Sequence, residues 1–207
     1  MDLDVTSCGI CFSDVSMIDN AWGFTPYLPL VPGHEIVGTV RAIGERVSHL
    51  AVGNTVGLGW NAGSCLVCAQ CMSGDHHLCA KAVSTFIGRP GGYADIVRAQ
   101  AHAVFRLPDG VDPRTAGPLM CGGITVFSPL SQFAISPTAS VGVIGIGGLG
   151  HLAVKFARAW GCHVTAFTSS NGKHDEALAM GAHDVMNSRD GAPWRAPLTA
   201  STCCSRR

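Results

Sequence analysis

Cys65, Cys68, Cys71 and Cys79 follow one another as C-x2-C-x2-C-x7-C. Four thiolates converging from one loop match the closed tetrahedral set that structural zinc prefers. The nearest alternative is an iron–sulfur cluster, because C-x2-C-x2-C also opens the ferredoxin pattern. That pattern wants its fourth cysteine after three residues, with a proline behind it. Here seven residues intervene and Ala80 follows Cys79, so zinc is the better reading. Disulfides are weaker still. The chain holds 10 cysteines, but it is long, and Met1-Asp2-Leu3-Asp4 carries acids where a secretory signal carries bases. A reducing cytoplasm is therefore expected. His76 and His77 lie in the same loop, but four cysteines already fill the shell, and both are expected to face solvent.

Gly145-Ile146-Gly147-Gly148-Leu149-Gly150 offers a second chemistry. Alone it is a weak signal, since such spacings arise by chance in a chain with 26 glycines. It follows a buried-strand run from Val141 and opens a segment with Leu149, Leu152, Ala153, Phe156, Ala157 and Trp160 at helical spacing. Strand, glycine turn and helix are the context a dinucleotide site requires. The glycines let the backbone approach a pyrophosphate, which then rests at the helix N-terminus. The next strand-like run ends in Thr168-Ser169-Ser170, with Lys173 nearby and no acid at its tip. An acid there would bind a ribose 2′-hydroxyl and repel a phosphate. Hydroxyls and a lysine suit the 2′-phosphate of NADP(H), so that cofactor is expected over NAD(H).

Three dispersed clusters complete the set: Cys8-Gly-Ile-Cys11-Phe-Ser13-Asp14, Val31-Pro-Gly33-His34-Glu35 and Leu119-Met-Cys121-Gly-Gly-Ile-Thr125. Singly each is weak. A histidine after a glycine is more often a turn residue than a ligand, and Cys121 alone reads as a small core residue.

The elements that must hold these residues fall into two grammars. The first 115 residues or so are rich in Val, Ile, Gly and Pro, in short runs closed by turn residues. The stretch from Glu35 to Ile43, Val52 to Leu58, and Tyr93 to Val97 are examples. Many such runs together predict a β-barrel-like domain. From Ser140 the order becomes strand, helix to Trp160, strand from His163, helix from Lys173 to Met180, and strand from His183. That is the opening half of a doubly wound sheet. Residues 190–207 show neither period, with two prolines and three arginines. The 207 residues carry 14 basic and 14 acidic side chains, which excludes the clustered basic surface of a nucleic-acid binder. No stretch approaches the roughly 18 uninterrupted apolar residues of a membrane span, so neither partner is expected.

Taken together, G-I-C-x-S-D, P-G-H-E, the cysteine loop, C-x-G-I-T and G-x-G-G-x-G resemble the zinc-dependent medium-chain alcohol dehydrogenases, most closely the cinnamyl alcohol dehydrogenase branch. The resemblance runs from about residue 4 to about residue 189. It implies an all-β GroES-like catalytic domain over residues 1–115, N-terminally short, then a partial α/β Rossmann domain over 116–189 and an irregular tail. It implies two Zn2+ per chain. Cys11, His34 and Cys121 match the catalytic zinc ligands, and the cysteine loop matches the structural site. Glu35 matches the carboxylate beside the metal, Asp14 the acid that orients the ligand histidine, and Ser13 the hydroxyl that takes the alcohol proton. Thr125 matches a residue near the nicotinamide. Trp22 and Phe24 sit where relatives line the pocket mouth, which suits an aromatic or medium-chain aldehyde.

The implied reaction interconverts primary alcohols and aldehydes with NADP(H), and intact relatives of this kind form homodimers. Two departures concern the proton path. Where this branch often has histidines beyond the first ligand, the chain has Phe12 and Ser16. The ragged end predicts a fragment that is much less active than a full-length relative. The alternatives are a non-catalytic zinc-binding fragment, or an NAD-linked polyol dehydrogenase on the same scaffold. The Thr168-Ser169-Ser170 tip and the apolar Trp22 and Phe24 argue against the polyol enzyme. Trp60 and Trp160 are expected to serve packing alone.

Overall fold

The computed structural model of the chain describes residues 1–23 and 29–189. Contacts divide it into two units, one ending at Cys121 and the other starting at Gly122. Residues 116–121 therefore pack with the first unit, beyond the boundary expected at 115. The reason is apolar: Ala116 is buried with Val37 and Leu107, and Leu119 packs against them.

In the first unit the elements are β1 (Asp2–Gly9), α1 (Phe12–Ile18), β2 (Glu35–Ala42), β3 (Thr55–Leu58) and β4 (Asn61–Gly63). They continue with α2 (Ala69–Met72), β5 (Val83–Ser84), β6 (Ile96–Arg98) and β7 (Val104–Arg106). Five strands form an antiparallel sheet in the order β6-β1-β2-β3-β7, and β4 pairs with β5 apart from it. Leu3, Ile36, Val40, Val56, Leu58 and Val97 fill its core. Two strands are shorter than the apolar runs suggested. Val52 is left out because Gly53, at φ +88, turns the chain, with its N–H donating to the Val40 carbonyl. Tyr93 is left out of β6 because its N–H is spent on the Pro32 carbonyl.

The β1–β2 register places Cys8 opposite Ile36 and Gly9 opposite Glu35. The end of one strand thus lies beside the start of the next, and Cys11 and His34 follow and precede those ends.

The second unit contains α3 (Gly122–Gln132), β8 (Ser140–Ile144), α4 (Gly148–Trp160), β9 (His163–Thr168), α5 (His174–Ala179) and β10 (Asp184–Asn187). Its three strands are parallel in the order β10-β9-β8. Val141, Val143, Val154, Ala157, Val164 and Ala166 are buried between sheet and helices. Gly161, at φ +107, ends α4 in the left-handed conformation that glycine adopts at least cost. No helix among the described residues is long and apolar enough to cross a membrane.

Candidate metal centres and dinucleotide site

One donor set forms where β1, α1 and β2 meet. Cys11 caps α1: its sulfur accepts from Ser13 N–H at 3.4 Å, while the Asp14 carboxylate accepts from Cys11 N–H at 2.9 Å. That reciprocal cap fixes Cys11 and Asp14 together. Gly33, at φ +103, swings the following residue inward; a β-carbon there would come within 2.8 Å of the Tyr93 nitrogen. His34 is fully buried as a result. Gly9 must also be small, since a β-carbon would overlap the Glu35 carboxylate. Cys121 arrives on the short turn Gly117–Met120.

The ligand atoms of Cys11, His34, Glu35 and Cys121 all lie within 4.8 Å of one another. Cys11 Sγ is 4.0 Å from Cys121 Sγ, and His34 Nε2 is 3.3 Å from Cys121 Sγ. Donors around a tetrahedral zinc with bonds of about 2.0–2.3 Å stand about 3.3–3.8 Å apart, so the Cys121 separations from Cys11 and His34 lie near what that ion needs. Its electrostatics also suit a cation. Burial, then the negative Cys11 and Glu35, pushes the Cys121 thiol up to about 12. Burial likewise raises the Glu35 carboxyl above its ordinary value. A divalent ion among these groups reverses that penalty.

Asp14 is 1% exposed, and burial alone would raise its pKa. Hydrogen bonds from His34, Cys11 N–H and Gly33 N–H outweigh burial and hold it below the usual carboxylate range. His34 Nδ1 donates to Asp14 Oδ1 at 3.1 Å, so Nε2 is the atom that faces the sulfurs. The ring is stacked on Phe86 at 5.2 Å and meets Trp60 edge-on at 4.9 Å. Trp60 therefore packs, as expected, and the buried histidine is part of what it packs against. Nothing in its sequence context pointed to the histidine.

The four-cysteine set is local. The sulfurs of Cys65, Cys68, Cys71 and Cys79 lie within 4.8 Å of one another and all four are unbridged. Cys68 N–H donates to Cys65 Sγ at 3.4 Å, and Lys81 N–H to Cys79 Sγ at 3.3 Å, bonds that favour a charged sulfur. The Ser64 hydroxyl and His76 hold the Cys71 thiol well below its ordinary range. His76 is thus not a solvent residue as expected. It is half-buried, with Nδ1 3.3 Å from Ser64 Oγ, whereas His77 is exposed.

In the second unit a cavity of about 690 Å³ is lined by Thr125, the loop Gly145 to Gly150 with Leu149, Thr168, Ser169, Ser170 and Lys173. Gly147 caps α4, and β-carbons on Gly147 or Gly148 would meet open space. The helix N-terminus is therefore open to an anion. Gly150 has the opposite role: a β-carbon there would overlap the Gly145 carbonyl oxygen. Gly150→Ala is expected to cost about 1–3 kcal/mol and to loosen the loop. A thermal melt and a dinucleotide titration would measure both, and unchanged values would contradict it.

Thr168 is buried and its hydroxyl accepts from Ser170 N–H at 3.2 Å. Ser13 is half-buried on α1, and Ser16 is buried. Phe12 is 80% exposed. Trp22 lies 6.2 Å from Trp60, tilted by 54°. Phe24 falls outside the described residues. Trp160 donates from Nε1 to the Ile135 carbonyl and packs on Phe127.

Residues 1–109 match the alcohol dehydrogenase GroES-like domain, and residues 148–202 match the zinc-binding dehydrogenase family. The chain belongs to the zinc-dependent medium-chain alcohol dehydrogenases. Within this family it falls in the cinnamyl alcohol dehydrogenase-like branch. It is 58% identical over 188 residues to an aldehyde reductase of Synechocystis sp., covering 91% of this chain and 56% of that one. It is 46% identical over 203 residues to a probable mannitol dehydrogenase of Fragaria ananassa, covering 94% and 56%. A cinnamyl alcohol dehydrogenase structure from Sorghum bicolor aligns with TM-score 0.87 at 40% identity, over 92% of this chain and 57% of that one. The CAD structure from Helicobacter pylori complexed with NADP(H) aligns with TM-score 0.84 at 32% identity, over 90% and 56%. The chain spans about half the length of the curated relatives it matches. A GroES-like unit followed by part of a Rossmann unit is the dehydrogenase architecture expected from the sequence, although α1 and α2 make the first unit mainly rather than wholly β. The second match also runs past residue 189, into the segment expected to be irregular.

Proposed function

We propose that the chain serves an NADP(H)-linked oxidoreductase that interconverts primary alcohols and aldehydes of the cinnamyl type. The observation that carries this reading is the convergence of Cys11, His34, Glu35 and Cys121 within 4.8 Å. Cys11, His34 and Cys121 would hold one zinc, with Glu35 beside it, and Cys65, Cys68, Cys71 and Cys79 a second. The first zinc would supply Lewis acidity toward the substrate oxygen.

The chain's own residues do the rest. Ser13, on the first turn of α1, would relay the proton that the alcohol gives up, accepting it as its own hydroxyl proton passes outward, and the reverse reaction would run the same relay backwards. Asp14 keeps the His34 tautomer fixed. The Gly145–Gly150 turn would hold the pyrophosphate, and Ser169, Ser170 and Lys173 would take the 2′-phosphate. NADP(H), when bound, would supply the acceptor or donor of the hydride, and the one proton of the exchange would pass by way of Ser13. Ser16, which is buried, would carry the proton outward from Ser13 only by way of water.

Cofactor choice is testable by titration. NADPH is expected to bind more tightly than NADH. Lys173→Ala is expected to narrow the gap about fivefold to tenfold, from an exposed charge pair of about 1 kcal/mol. Equal binding of the two cofactors removes the NADP reading. Lys173 Nζ also donates to the Ile146 carbonyl at 2.7 Å, so the variant should weaken both cofactors slightly.

A polyol is the second reading, favoured by the Fragaria relative's name. Turnover of cinnamyl alcohol and of mannitol by zinc-loaded protein decides between them. Oxidation of mannitol alone would overturn the aldehyde-type assignment.

A further inference from the structure

The Asp14 carboxylate accepts four hydrogen bonds: from Cys11 N–H at 2.9 Å, Gly33 N–H at 3.0 Å, His34 Nδ1 at 3.1 Å and Tyr93 O–H at 3.0 Å. Three of these donors lie in the segments that carry the metal donors themselves. The fourth comes from a separate loop. Tyr93 is tied to the His34 segment through its main chain as well, because its N–H donates to the Pro32 carbonyl at 3.0 Å. Gly91 N–H and Gly92 N–H likewise donate to the Val31 and Gly33 carbonyls, at 2.7 and 2.8 Å. The ring lies against Gly33, where a β-carbon would come within 2.9 Å of Tyr93 Cδ1. A closed ring of contacts results: Pro32 to His34, His34 to Asp14, Asp14 to Tyr93, and Tyr93 back to Pro32.

The phenol has one proton and two acceptors within reach, Asp14 Oδ2 and the Gly9 carbonyl at 3.2 Å. The carboxylate is ionised and nearer, so it is the stronger acceptor. Oδ1 then remains for His34 Nδ1 and Gly33 N–H, and Oδ2 for Cys11 N–H and the phenol. Without the phenol, Oδ2 keeps one of these donors and the carboxylate is freer to rotate off the imidazole.

We propose that Tyr93 is a positioning residue for the Cys11–His34–Cys121 centre. Its hydroxyl holds Asp14 in the orientation that fixes Nδ1 of His34 as the donor and aims Nε2 at the metal. This rests on reading that donor set as a metal centre.

The test is cobalt(II) titration of the full chain against a competing chelator, with the visible thiolate–cobalt absorption recorded. Cys121→Ser serves to tell the two centres apart. Tyr93→Phe keeps the ring and the main-chain bonds and deletes only the hydroxyl. It is expected to weaken cobalt at the Cys11–His34–Cys121 centre about threefold to tenfold and to shift its absorption. The four-cysteine affinity should not change. Because Tyr93 acts through Asp14, adding Tyr93→Phe to Asp14→Asn is expected to cost nothing further. Unchanged affinity and spectrum in Tyr93→Phe would overturn the proposal, even if the melting temperature fell, and so would additive losses in the double variant. Wild-type chain that takes up cobalt only at the four cysteines would overturn the metal-centre reading, and this proposal with it.

Discussion

Cys121→Ser is expected to remove one of two zinc equivalents and to lower alcohol turnover by at least about a thousandfold, several kcal/mol of lost Lewis acidity. Serine cannot replace the thiolate, because its hydroxyl stays protonated and is a poor ligand for a borderline-soft ion. The remaining Cys11, His34 and Glu35 then have to hold a divalent ion with one anionic sulfur fewer. The lesion should be confined to that centre. Cys121 ends a short turn and is only half-buried, so the sheet core of Leu3, Ile36, Val56 and Leu58 does not depend on it. Elemental analysis with a melting curve reads the result. Retention of both zinc ions, or loss of both, would refute the assignment of two independent centres.

Cys71→Ser is expected to have the larger structural effect. Cys71 is 5% exposed at the centre of the lobe, and α2 around it is only four residues long. So short a helix cannot persist alone in water. Zinc held by four thiolates supplies the folding free energy of such a lobe, on the order of 10 kcal/mol in small zinc modules. Losing one thiolate should release the metal and open the segment between β4 and β5 to protease. Cleavage between residues 65 and 79 in the variant, or in wild type treated with chelator, is the expected result. The antiparallel sheet should survive, because its core residues lie outside the lobe. Iron in place of zinc, with visible absorption, would overturn the reading of the lobe. Resistance to protease after metal loss would overturn its structural role.

The two centres differed in how far they could be read from the chain. The cysteine lobe was legible because Cys65, Cys68, Cys71 and Cys79 occupy one loop, where spacing along the chain limits spacing in space. The same holds for the glycine turn: strand, Gly145–Gly150 and helix are neighbours in sequence, and Gly150 is demanded by the close approach of its own flanking backbone. His76 was misjudged because its hydrogen-bond partner Ser64 and the neighbouring His102 ring reach it only once separate segments have folded together. The extent of the strands was also misjudged. Hydrophobic runs mark a strand's presence, while a turn such as that at Gly53 sets its end.

Residue types at short, regular spacing were enough to mark the cysteine loop, the glycine turn and the order of the two units. The approach of Cys11 and Cys121, 110 residues apart, to 4.0 Å comes from pairing and packing between distant segments. The β1–β2 register lays Gly9 against Glu35, and the apolar anchoring of Ala116 and Leu119 delivers Cys121. Register and packing also turned His34 so that Asp14, itself bonded by Tyr93, selects which nitrogen faces the sulfurs. Strand register and side-chain aim are set by contacts between residues distant in the chain. Local periodicity constrains each strand's two faces but leaves its partner and offset open.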